Sequence, residues 1–161
     1  MQNQSRAASI RYRPINMGEG TRVVNLVWEV FAEFVAPGYS EEGIAEFKKF
    51  IRAETLETRL AAGNIILLAE SEKRLVGVIE VRENRHIALF FVEKAHQCQG
   101  IARELLRQAI AICRQRNPDL QLITVNSSPN AFTAYQTLGF TKIEDEKVVN
   151  GLRFIPMALV L

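Results

Sequence analysis

The sequence predicts an α/β fold in which a mixed sheet carries helices on its faces. Three observations lead there. Apolar residues recur at helical spacing over 21–35 and 100–116. Three β-type runs with short polar links follow one another: NIILLAE (64–70), RLVGVIEV (74–81) and HIALFFV (86–92). The third run leads through a helix into LQLITV (120–125), and such a βαβ unit makes its two strands parallel neighbours with a right-handed crossover.

Taken in order, Ser9 to Pro14 alternates through Ile10 and Tyr12 and reads as a short strand ended by proline. Thr21 to Val35 puts Val23, Val27, Val30, Phe31 and Phe34 on one helical stripe. Val24, Trp28 and Val35 fall outside it, which predicts a second apolar neighbour. After the breaker APGYS, Ser40 and Gly43 open another helix, whose period runs through Ile44, Phe47, Phe50 and Ile51 and weakly on to Leu60. Gly63 and Asn64 end it. The links SEK and RENR predict antiparallel hairpins between the three strands.

The helix from about Gly100 to Arg116 turns Ile101, Leu105, Ala109, Ile112 and Cys113 inward, and Asn117-Pro118-Asp119 stops it. A short helix then spans Pro129 to Leu138, with Ser128 as its cap, Gly139 as its left-handed end and Phe140 as the apolar contact beyond. Two last strands, 140–147 and 152–161, meet at Val149-Asn150-Gly151, a hairpin signal. The expected architecture is a mixed, mostly antiparallel sheet of about seven strands, with four helices on its faces, in one domain over 1–161.

Composition narrows the function classes. A chain of 161 residues with 48% hydrophobic and 24% charged residues can bury a full core. Its net charge of +2 and lack of a basic run do not point to nucleic acid. No segment approaches the ~20 apolar residues of a membrane span, and MQNQSRAASIRYRP lacks the apolar centre of a signal peptide. Cys98 and Cys113 would sit on one helix, more than about 20 Å apart, beyond disulfide reach. Two histidines and no clustered cysteines leave no metal site to expect. The expectation is a cytoplasmic, disulfide-free protein without a metal.

The informative stretch is HQCQGIARELL, 96–106. It enters a helix through a glycine, with no Ser, Thr, Asp or Asn to cap the free N–H groups. A strand that feeds a helix through such a loop leaves backbone donors at a concave strand end, and the helix dipole adds to them. Together they suit an anion. A side chain at Gly100 would push a phosphate away from the backbone. Similar helix starts also occur in proteins that bind nothing.

Gln97-x-x-Gly100-x-Ala102 resembles the Gln/Arg-x-x-Gly-x-Gly/Ala signature of the GNAT superfamily of N-acetyltransferases. Asn126, Asn130, Tyr135 and Gly139-Phe140 stand where that family has its second block, and the element order agrees over essentially the whole chain. The resemblance implies a GNAT fold whose βαβ core binds acetyl-CoA. It implies a pyrophosphate on Gln97, Cys98, Gln99, Gly100, Ile101, Ala102 and Arg103. The pantetheine arm would lie between the parallel strands against the backbone near Phe91 and Val92, lined by Asn126 and Asn130.

The same resemblance makes Tyr135 the acid that protonates the departing thiolate; the alternative is a tyrosine that only packs its helix. For the base that neutralises the amine, His86 stands where the histone-acetylating branch has a glutamate, and an imidazole suits the task. A surface histidine at a strand start is the alternative. Glu80, facing the cleft, and Glu83, solvated, are rivals, and His96 reads as a neighbour of the phosphates.

The chain departs from the family at Lys94, where proline is common, and at Cys98 and Ala102, where glycine is common. An acetyl carrier role for Cys98 is disfavoured, because the loop faces phosphates.

The acceptor side is less legible. Tyr39, Trp28 and Phe31 could form an apolar wall, a core or a dimer interface, with Glu29, Glu33 or Glu80 attracting an amine and Arg153 meeting a carboxylate. The expected reaction is direct transfer of acetyl from acetyl-CoA to a primary amine, in a small molecule or a protein. A non-catalytic acyl-CoA sensor of the same fold is the alternative. A dinucleotide enzyme lacks its G-x-G-x-x-G. The terminal strand PMALVL, left as an exposed edge, suggests a homodimer.

Overall fold

The computed structural model describes residues 9–161; the leader question raised by the first residues lies outside them. Eight strands and five α-helices follow one another. Strand β1 is Ile10–Pro14 and helix α1 is Gly20–Phe34. After a 3-10 turn at Ala36–Gly38 come α2, Glu41–Phe50, and α3, Ala53–Ala61. Strands β2 (Ile65–Ser71), β3 (Arg74–Arg82) and β4 (His86–Val92) precede helix α4, Ile101–Arg116. Then come β5 (Leu122–Ser127), α5 (Phe132–Thr137), β6 (Thr141–Lys142), β7 (Lys147–Val149) and β8 (Leu152–Val160).

The sheet order is β1-β2-β3-β4-β5-β8-β6, with β7 also on β8. Among the described residues only β4 and β5 run parallel; each other pairing is antiparallel. The expected mixed, mostly antiparallel α/β sheet with its βαβ unit is therefore what the chain forms.

Alternation along the strands splits the core in two. Ile65, Leu67, Ile79, Val81, Ile123, Val125 and Met157 pack with Ile101, Leu105, Ala109 and Cys113 of α4 and with Tyr135 of α5. Ile66, Leu68, Val78 and Leu89 face the other way, onto Val23, Val27 and Val30 of α1 and Leu56 of α3. The second neighbour expected for α1 is α2, whose Phe47 stacks on Phe31 at 3.9 Å between ring centroids.

Four expectations change. The helix expected from Ser40 to Leu60 is two helices, because Ile51 (ψ 34°) and Arg52 (ψ 147°) leave the helical region. Thr55 Oγ1 and Arg59 Nη1 donate to the freed Phe50 carbonyl at 3.0 and 2.8 Å. The helix expected from Pro129 begins as a 3-10 turn, and Ser128 donates to Asn130 Oδ1 at 2.8 Å rather than capping it. The strand expected over 140–147 survives as β6 and β7, with an irregular turn between them. Finally, β8 is not an edge: β5 lies on one side, β6 and β7 on the other.

Candidate active site

The parallel strands separate almost at once. β4 and β5 share two rungs, His86↔Thr124 and Ile87↔Val125. Beyond Ile87, β4 stays paired to β3 as far as Gly77↔Val92, while β5 follows β8 to Ser127↔Ile155. A register shift between Glu80 and Val81, opposite the Ile87–Leu89 stretch, bends β4 at this point. The wedge opens into a cleft of about 580 Å³. Its walls are Phe90, Phe91 and Val92 of β4, the loop into α4, one side of α5, and Val30, Phe34 and Val35 from the end of α1.

The loop is built to leave its donors free. Cys98 (φ 60°) and Gly100 (φ 85°) both take the left-handed conformation. Helix α4 starts without a side-chain cap. The first backbone bond of the helix is Glu104 N–H to Gly100 O, 3.1 Å. Among the described residues, no acceptor meets the six N–H groups of Cys98 through Arg103. Gln97 lines the cleft as well, but its backbone amide donates to Lys94 O at 3.3 Å and its Nε2 to Val92 O at 3.0 Å. It holds the loop on the strand end. A Cβ on Gly100 would meet no atom within 4 Å, so that side of the loop is open.

Of the other expected ligand residues, Phe91, Val92, Cys98, Gly100, Ile101, Ala102, Arg103 and Asn130 line the cleft. Gln99 and Asn126 do not. The Gln99 side chain turns back, its Nε2 donating to Ala95 O at 3.2 Å, and Asn126 stands exposed on β5 opposite Pro156. Arg103 reaches across the cleft, its Nη2 donating to Thr137 O at 3.2 Å.

Tyr135 lines the same cleft and is buried against Phe140 (5.3 Å) and Phe90 (6.1 Å), edge-on to both. Burial raises its pKa above the ordinary phenol value. Its hydroxyl has no hydrogen-bond partner among the described residues.

His86 is not in the cleft wall. It sits at the root of the wedge, with Nδ1 2.8 Å from Thr124 Oγ1. Burial first, and then the charge of Arg82, push its pKa down to about 4. The structure separates Glu80 from the cleft: it is fully buried, held by Arg59 through Nε (2.6 Å) and Nη2 (3.0 Å) and by Asn64 Nδ2 at 2.9 Å. Glu83 is a surface residue paired with Arg85.

Of the residues expected to meet the acceptor, Phe31 is core and Tyr39 donates to Arg153 O at 2.8 Å. The Arg153 guanidinium is bonded to Gly38 O and Glu146 rather than left open for a carboxylate. Glu33 is paired with Lys94 at 2.7 Å.

Sequence reasoning missed Phe34 and Val35, which close the cleft from an element 55 or more residues before the loop. Nothing local marks them, although Val35 already stood outside the helical stripe.

The family model of the acetyltransferase (GNAT) domain matches residues 35–161. The chain belongs to the GNAT acetyltransferase family. Human N-acetyltransferase 8 is 33% identical over a stretch covering 50% of this chain and 40% of that protein, so the chain spans well under half of that relative's length.

Among solved structures, a GCN5-related N-acetyltransferase from Rhodopseudomonas palustris superposes with a TM-score of 0.81 at 20% identity, covering 97% of this chain and 99% of that one. PaiA N-acetyltransferase from Thermoplasma acidophilum, in complex with coenzyme A, gives 0.77 at 19% identity, covering 95% and 99%. These two carry the GNAT fold. No helix among the described residues is long and apolar enough to cross a membrane.

Proposed function

We propose that this GNAT protein transfers acetyl from acetyl-CoA to a primary amine by direct attack while both are bound. The observation that carries the reading is the run of six backbone amides, Cys98 through Arg103, that meet no acceptor among the described residues, in a loop that, Gln99 apart, lines a cleft opening between parallel strands. A diphosphate wants several backbone donors and a helix N-terminus. An amide-bearing arm can pair with a strand edge left unpaired, and β4 beyond Ile87 is one. The coenzyme A held by the Thermoplasma relative accords with this.

The residues then take distinct tasks. The Cys98–Arg103 amides and Arg103 bind and orient the donor, and Phe90, Phe91, Val92 and Asn130 line its arm. Tyr135 donates its hydroxyl proton toward the leaving sulfur as the carbon–sulfur bond breaks and the carbon–nitrogen bond forms. A phenol raised by burial stays protonated at every working pH. It is also a weaker acid than a thiol of pKa about 8.5, so it serves first as a hydrogen-bond donor to the sulfur as charge develops there, and a phenolate formed by transfer recovers its proton from solvent before the next turnover.

His86 is the proposed acceptor of the amine proton from the root of the wedge. It is neutral and would take the proton through water, but its lowered pKa makes it a weak base. The acceptor belongs to the class of primary amines.

The test is thiol release from acetyl-CoA across a panel of small amines, amino acids and peptides, beside binding of CoA itself. Turnover with at least one amine is expected. Tight CoA binding with no thiol released by any amine favours a sensor of the same fold.

A further inference from the structure

We propose that His96 is a proton-linked ligand for the diphosphate of the acyl donor, set in place by the buried carboxylate of Glu93. The inference rests on the acyl-CoA reading above and adds a residue and a regulation to it. Glu93 leaves the end of β4 almost fully buried, with 7% of its surface exposed. Its amide is tied to Val76 O at 2.8 Å. Behind it, Arg74 of β3 takes both carboxylate oxygens, one of them at 2.8 Å. In front, Oε2 lies 2.7 Å from His96 Nδ1.

A carboxylate accepts only, so Nδ1 carries the proton. The remaining nitrogen, Nε2, has no partner among the described residues, and the ring lines the cleft beside the free amides.

This arrangement fixes one nitrogen and presents the other to the ligand. A neutral ring with Nδ1–H would offer the diphosphate a lone pair, which repels it. A ring that gains a proton at Nε2 offers a charge-assisted donor instead. The added negative charge favours the protonated form, so binding draws a proton from solvent. By linkage, affinity rises as pH falls.

The other charged groups around the ring do not supply that donor. Arg74 is spent on Glu93, and Lys94 is paired with Glu33 of α1. Arg103, on α4, reaches to Thr137 O. Cys98 beside them is an exposed thiol.

The experiment is calorimetric binding of 3′-dephospho-CoA to the whole protein, near pH 7, in buffers of differing ionisation enthalpy. That probe keeps the diphosphate and lacks the phosphomonoester, whose own second pKa near ~6 would confuse the count. Net proton uptake is expected for the wild type. His96→Gln should still bind, with the uptake gone and affinity about tenfold lower near pH 6, the scale of one charge-assisted bond.

The His96 ring resonances in unsubstituted protein give a second readout, moving to imidazolium positions as ligand is added. Binding without proton uptake, or equal uptake in wild type and His96→Gln, overturns the inference and leaves the acyl-CoA reading standing. Absence of any binding contradicts that reading itself.

Discussion

Gly43 and Gly151 touch backbone to backbone: a Cβ on Gly43 would lie 2.2 Å from the Gly151 carbonyl oxygen. The contact seats the β7–β8 hairpin on the first turn of α2, where Ser40 Oγ also accepts from the Gly43 amide at 3.2 Å. Gly43→Ala must push the hairpin away. Overpacking of this kind costs about 1–3 kcal/mol, or roughly 3–10 °C in Tm for a chain of this size. Thermal unfolding checks the loss. If the amine docks against this hairpin, where Arg153 was expected to meet a carboxylate, KM for the amine should rise more than the Kd for CoA.

Tyr135→Phe keeps the ring, and with it the packing on Phe90 and Phe140, and removes only the hydroxyl. Steady-state rates should fall roughly 10- to 1000-fold in kcat with CoA affinity preserved, as for loss of a general acid. Since burial raises the phenol pKa, the wild-type profile should show no basic limb from this residue below about pH 10. Unchanged kcat in the variant leaves Tyr135 as a packing residue.

His86 makes stability fall as pH falls. Its folded pKa is near 4, against an ordinary 6.5. Between those values the unfolded chain binds the proton and the folded chain does not. Its contribution is therefore intact above pH 6.5 and is lost progressively as pH falls toward 4. Urea titrations at several pH values check this, and His86→Gln should flatten the dependence over that window. If His86 also accepts the amine proton, the acidic limb of kcat moves or vanishes in the same variant; a limb that stays in place removes the base proposal.

Glu80 tests a rival assignment. It is fully buried and its charge is met by Arg59 and Asn64. Removing one partner of such a pair costs on the order of 3–5 kcal/mol. Arg59→Met should therefore lower the urea midpoint sharply, while kcat per folded molecule stays close to wild type. A large kcat loss in soluble, folded Arg59→Met would put this pair back among the groups that serve the chemistry.

The elements that sequence made legible are those with local chemistry. Asn150 (φ 51°) and Gly151 (φ 77°) form the expected hairpin turn, Gly139 (φ 102°) ends α5, and Ser40 caps α2. The βαβ unit followed from period and length. Features that depend on partners far along the chain were not legible. The break between α2 and α3 has no glycine or proline; Thr55 and Arg59 stabilise it from the following helix.

The site divided in the same way. The loop residues declared themselves, because glycine and missing caps are local signals. Asn126, Gln99 and Glu80 were misplaced because strand facing and side-chain partners decide where they point. The register shift beside Glu80 has no mark of its own in RLVGVIEV.

Residue-resolved amide NMR during titration tests the central claim most directly. With CoA, the backbone signals of Cys98 through Arg103 should shift strongly, whereas pantetheine, which keeps the arm but has no diphosphate, should leave them near their free positions. If CoA binds and those six signals stay in place while others move, the diphosphate sits elsewhere and the account is wrong.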